Sequence, residues 1–173
     1  MGTFLRLLHV LSAILIIGPL AVIPLHGLRG LRDRDVVTVR EAGKAATRLG
    51  FASILVAVLG GILAKYLKYR TGTPWIVIAA TLYIVLVVIV LFWTAPALRK
   101  AARTIEAGTF ELPAPPEGAD QPATPEMMAA TGSYLTTKSE VDKAVGRVGA
   151  AAGVTLLLVV AIVTLMVSRP FGR

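Results

Sequence analysis

A chain of 173 residues with 55% hydrophobic side chains, 16% charged side chains and a mean hydropathy of +0.75 is too apolar for a water-soluble domain; such domains are usually about 45–50% apolar. The absence of cysteine excludes disulfides, thiolate metal ligation and a thiol nucleophile together. A net charge of +8 invites a nucleic-acid reading, but the cations flank apolar blocks, where anionic lipid headgroups are the simpler partner, so no nucleic acid is expected.

A bilayer core of about 30 Å is crossed by about 20 predominantly apolar helical residues. The first block of that kind runs from Leu7 to Leu25, follows a segment whose only charge is Arg6, and lacks a small-residue cleavage motif, so it is read as retained. Gly18-Pro19 and Pro24 lie inside it. Each proline deletes a backbone hydrogen bond and crowds the preceding turn, so span one is expected to be short and bent.

Span two, Leu49 to Leu67, carries Ser53, Ala57 and Gly61 at four-residue spacing with Gly60 beside them, a face nearly free of bulk against which another helix can pack. Span three, Trp75 to Leu98, is rich in Ile, Val and Leu, with Trp75 at one end and Phe92 and Trp93 at the other as interfacial anchors. Span four, Gly146 to Val167, opens with small residues, and Gly149 and Gly153 have the GxxxG spacing of close helix packing.

Cations recur at helical spacing beside three of the spans: Arg40, Lys44 and Arg48 before span two, Arg99 and Arg103 after span three, Lys143 and Arg147 before span four. These spans are expected to continue as helices beyond the membrane, their long stems reaching lipid phosphates. Gly108 is the expected stop after span three. Residues 109–132 hold five prolines, no Lys or Arg, and Glu111, Glu117, Asp120 and Glu126, the composition of a flexible acidic linker.

The segments joining spans one to two and three to four carry Arg29, Arg32, Arg34, Arg40, Lys44, Arg48, Arg99, Lys100, Arg103, Lys138, Lys143 and Arg147. The opposite side has Arg6, Lys65, Lys68, Arg70, Arg169 and Arg173. Counting Lys and Arg puts both termini outside a plasma membrane and the linker in the cytoplasm. All acidic residues share the side with more cations, but the rule counts cations rather than net charge.

No Asp or Glu lies inside a span, which argues against a carboxylate proton relay. His9 is the one embedded ionisable group away from the cationic ends, at a depth shared with Thr81, Tyr83 and Thr164. A polar cluster of these four is either a ligand or proton-handling site or a histidine satisfied between helices by a hydroxyl. Haem ligation by paired histidines fails on counting, since His26 lies on the same span about 25 Å from His9. A copper site lacks thioether partners, as only Met1 and Met166 approach the depth of His9. No cofactor, metal site or catalytic residue is expected, and no nucleotide-binding or hydrolase motif is present.

The opening run Leu7-Leu8-His9-Val10-Leu11, leading through small residues to Gly18, resembles an uncharacterised group of bacterial predicted integral membrane proteins, the domain of unknown function 2269. The resemblance implies a small four-helix membrane bundle and carries no activity with it. A second likeness, to copper-resistance membrane proteins, rests on His9 alone. The sequence thus reads as an all-α integral membrane four-helix bundle with helices extending into the cytoplasm, non-enzymatic, an accessory or assembly subunit of a membrane complex that contacts lipid and other membrane proteins or itself. A small oligomeric transporter or channel and a metal or redox protein centred on His9 are the alternatives.

Overall fold

The computed structural model describes residues 2–69, 73–108 and 125–168. Among the described residues five α-helices and one π turn follow in order: α1 (Gly2–Asp33), α2 (Val36–Tyr66), α3 (Pro74–Val88), the π turn (Ile89–Thr94), α4 (Ala95–Ala107) and α5 (Pro125–Ser168). Since α3, the π turn and α4 run on as one rod, four helices are long and apolar enough to cross a membrane. At 1.5 Å per residue, the 32 residues of α1 reach about 48 Å and the 44 of α5 about 66 Å. All four therefore project beyond a bilayer core of about 30 Å.

Helix boundaries follow from local chemistry. α1 ends in a turn where Arg34 adopts φ 56° and the Asp35 N–H donates to the Gly30 carbonyl (2.9 Å). Asp35 then caps α2, its carboxylate accepting from the Val37 and Thr38 amides, donors that have no intrahelical partner. α2 ends the same way, with Lys68 at φ 57° and the Tyr69 N–H bonded back to the Ala64 carbonyl, the six-to-one closure of a Schellman turn. Pro74 opens α3 at a position whose missing N–H costs nothing.

Three expectations change. α1 runs through Pro19 and Pro24 to Asp33, so it projects from the membrane like the others and is not the short member. The third span contains a π turn, in which the Ala95 N–H reaches back to the Val90 carbonyl and the Thr94 hydroxyl donates to the Ile89 carbonyl. Pro96, which has no N–H to donate, lies just beyond, and such π turns accommodate a disrupted ladder. α5 begins at Pro125, inside the stretch read as linker, with Glu126 in its first turn, where a carboxylate complements the helix dipole. The remainder of that stretch, 109–124, lies outside the described residues.

α1 packs along α2 and α5, and the α3–α4 rod packs against α5 and, through α4, against α2. The main core is Leu31, Val39, Ala42, Leu98, Ala101, Ala102, Ile105, Val141 and Val148. These residues lie among the cations at the end of the bundle that holds the α1–α2 turn, α4 and the first half of α5, hereafter the charged end. A second cluster, Leu20, Ala46, Val90 and Ala95, continues it toward the apolar half. Within the most apolar stretch of each crossing helix, 17–22% of residues are buried.

Candidate functional site

In the apolar half, His9 packs on α2 at Gly60: a Cβ built there would lie 2.9 Å from the imidazole Cε1. The absent side chain lets the ring lie against the helix backbone. The ring also approaches the Val56 backbone, yet its buried Nδ1 makes no hydrogen bond. Tyr66 and Gly2 form the next contact outward.

The structure does not assemble the four-residue polar cluster. Tyr83 bonds instead to Ser53 across the α2–α3 boundary, hydroxyl to hydroxyl at 2.9 Å, and Ser53 donates to its own Gly50 carbonyl at 2.7 Å. Thr81 is exposed with its hydroxyl bonded to the Val77 carbonyl one turn back. Thr164 is exposed on α5, its carbonyl accepting from Ser168. Similar depth did not put these residues on facing helix surfaces. The buried Thr155 hydroxyl, which the sequence reading passed over, and the Trp75 indole N–H also make no hydrogen bond. Trp75, expected as an anchor, is turned inward with its ring edge-on to Tyr69, whereas Phe92 and Trp93 face outward.

The small-residue faces are rotated from those expected. On α2 the buried strip is Val39, Ala42, Ala46, Gly50, Ser53 and Val56, leading to Gly60; Ala57 is exposed and a Cβ at Gly61 would meet open space. On α5 the buried strip is Val141, Val148, Ala151, Ala152 and Thr155. Gly149 only brushes Leu28 at 3.8 Å, and a Cβ at Gly153 would meet open space. Close fit between facing side chains, which leaves few voids, sets these inner faces.

At the charged end, much of the cationic collar is internally paired. Arg40 bonds Glu106 across α2 and α4 (2.5 Å), Lys100 reaches Glu140 across α4 and α5 (3.6 Å), and Lys143 meets Glu140 at 3.1 Å. Lys44 meets Glu41 (2.7 Å), and Arg99 donates to Thr47. These partners hold the Glu41 and Glu140 carboxyls below their ordinary range, chiefly through the Lys44 and Lys143 hydrogen bonds. The Thr38 hydroxyl does the same to Asp35, and Glu106 pushes Arg40 upward. Arg48, Arg103 and Arg147 make no ion pair or hydrogen bond among the described residues.

A concavity of about 490 Å³ on α1 is lined by Val22, Leu25, His26, Leu28, Arg29, Arg32 and Asp33. From sequence, His26 enters only as a rejected haem ligand and Arg29 and Arg32 only as charges that orient the chain. No group of three or more His, Asp or Glu side chains arranged to hold a metal occurs among the described residues.

Long apolar helices, a core built entirely from helix faces and a charged end rich in cations define an all-α integral membrane helical bundle. The chain belongs to the family described as predicted integral membrane protein (DUF2269), which matches residues 3–118. That match takes in the first three crossing helices, including the His9–Gly60 contact and the α1 concavity, and leaves α5 outside it. No curated protein and no solved structure matches the chain.

Proposed function

We propose that this protein is a non-enzymatic subunit of a membrane complex, resident in a bacterial plasma membrane with both termini outside and the charged end in the cytoplasm. The observation that carries the reading is the division of packing along the bundle. The main core lies where the helices project among the cations, while the apolar stretches keep less than a quarter of their residues buried. Such a molecule presents broad outward faces to lipid or to other helices, some of them smoothed by Ala57, Gly61 and Gly153. Its collar cations contact anionic headgroups and hold the bundle at the interface. The absence of Asp and Glu from the apolar blocks and the consumption of the Ser53 and Tyr83 hydroxyls by each other support a packing role over a transport or catalytic one.

Affinity purification in mild detergent with mass spectrometry tests this: a stoichiometric membrane companion is expected. Recovery of the chain alone, with solute flux in liposomes, would replace the reading by a small transporter. For orientation, the absence of native cysteine allows Ser133→Cys and Thr71→Cys to be labelled singly. Labelling of Ser133→Cys from outside intact cells would invert the topology.

A further inference from the structure

Arg40, Lys44, Lys100 and Lys143 are matched by carboxylates of the same chain, and Arg99 by a hydroxyl. On α1, by contrast, Arg29 and Arg32 make no ion pair or hydrogen bond among the described residues. They line the α1 concavity together with His26. Val22, His26, Arg29 and Asp33 recur every three or four residues, with Leu25 and Arg32 beside them, so they occupy one face of the helix. The face is graded along its length. Val22 and Leu25 are 58% and 45% exposed at the apolar end, and Arg29 stands about 10 Å farther along the axis from Val22. That interval suits a ligand with a hydrocarbon part and a phosphate at the water boundary.

We propose that this face binds one anionic phospholipid, its phosphate held by Arg29 and Arg32, its acyl chain laid along Val22 and Leu25, and its headgroup hydroxyls donating to Asp33. The proposal rests on the preceding reading that the charged end meets anionic lipid, and deepens it from a diffuse collar to a defined site. The guanidinium groups present planar forks that match phosphate oxygens in pairs. Two arginines and one aspartate leave a net +1, the complement of a singly charged phosphodiester such as phosphatidylglycerol. His26 adds an imidazole N–H donor on the same side. A zwitterionic lipid brings a choline or ammonium group to the arginines along with its phosphate and is disfavoured.

The test uses the full-length protein in mild detergent, titrated with phosphatidylglycerol, phosphatidylcholine or phosphatidylethanolamine and read by native mass spectrometry. Wild type is expected to hold one phosphatidylglycerol about tenfold more tightly than either zwitterionic lipid, and R29Q/R32Q to lose that preference. R103Q/R147Q, which removes the same charge from the collar, should keep one tightly held lipid. If R29Q/R32Q is not monodisperse, R29K/R32K replaces it; retaining charge without the fork, it is expected to lose preference at least about threefold. Equal losses in R29Q/R32Q and R103Q/R147Q would overturn the site while leaving the collar reading in place. Equal retention of zwitterionic lipid, an unchanged lysine variant, or displacement by inorganic phosphate at constant ionic strength would also overturn it. A wild type without anionic preference would refute collar and site together.

Discussion

Replacing Gly30 by alanine probes the tightest point of the α1–α2 turn. A Cβ there would lie 2.8 Å from Thr38 Cγ2, 3.0 Å from Thr38 Cβ and 3.1 Å from Val39 Cγ2. Neither neighbour can turn aside. Both are β-branched and stiff at χ1, the Thr38 hydroxyl is tied to the Asp35 carboxylate, and Val39 is fully buried in the main core. The helices must therefore part, an overpacking that costs about 1–3 kcal/mol. Against this stands about 1 kcal/mol gained when alanine replaces glycine in a helix. A net loss of up to about 2 kcal/mol lowers Tm by up to roughly 8 °C, at about 2–4 °C per kcal/mol for a chain of this size. Gly146→Ala is the control: it is helical, exposed and meets open space, so it should gain about 1 kcal/mol. Far-ultraviolet circular dichroism during heating in detergent reads both, since thiol-reactive dyes have no cysteine to label. A Gly30→Ala protein that melts above wild type, as the Gly146→Ala control does, would refute the close-packed turn.

Leu98→Ala, at a side chain with 0% exposure in the main core, should cost about 2–5 kcal/mol. Leu157→Ala, at 71% exposure, should stay within about 0.5 kcal/mol in the same melting assay. Tyr83→Phe and Ser53→Ala, combined in a double-mutant cycle, should show a coupling of about 0.6 kcal/mol, the usual worth of such a bond between membrane helices; no coupling would mean the two hydroxyls do not meet. Lys68→Gly relieves a left-handed conformation that costs a side-chain-bearing residue about 1–2 kcal/mol and should raise Tm, whereas a fall would argue against the Schellman turn. The carboxyls of Asp35, Glu41 and Glu140 are held below their ordinary values of 3.8, 4.5 and 4.5. Their contribution is complete above those values and is lost as pH falls through the lowered ones. Tm should thus be level from pH 7 to about 5 and drop below about 4, with a smaller drop in Glu140→Gln; an identical acid profile in that variant would remove Glu140 from the account.

Much of the fold was legible in the order of residues, because crossing a bilayer imposes a length and a polarity on each helix that no partner has to supply. Span two, but for its last residue Leu67, which caps α2, and Gly146 to Val167 lie within the helices the structure shows, and Gly108 stops α4 where expected. Pro19 and Pro24 pointed to a bent, short span and the apolar block ends at Leu25, yet α1 runs on to Asp33. The rest of a long apolar helix tolerates such local losses when neighbouring helices support it.

The candidate site was far less legible, since it depends on helix rotation and pairing. His9, Thr81, Tyr83 and Thr164 share a depth that residue counting reveals, but only the packed bundle shows that Tyr83 turns to Ser53 and that His9 lies on Gly60. In lipid a helix can rotate about its axis with little change in the apolar surface it shows its surroundings, so sequence hydrophobicity does not choose its inner face. Side-chain fit makes that choice: Val56 and Gly60 face inward while Ala57 and Gly61 face out. Likewise, the cations of the collar were visible as a charge pattern, yet which of them are spent on Glu41, Glu106 and Glu140, and which stand unpaired on α1, was decided by the tertiary structure. Sequence alone determined four segments long and apolar enough to cross a membrane beside a basic end, because solvent transfer acts on each segment separately. Their rotation, the π turn and the distribution of free charge required the packed bundle, because those features are properties of contacts between segments.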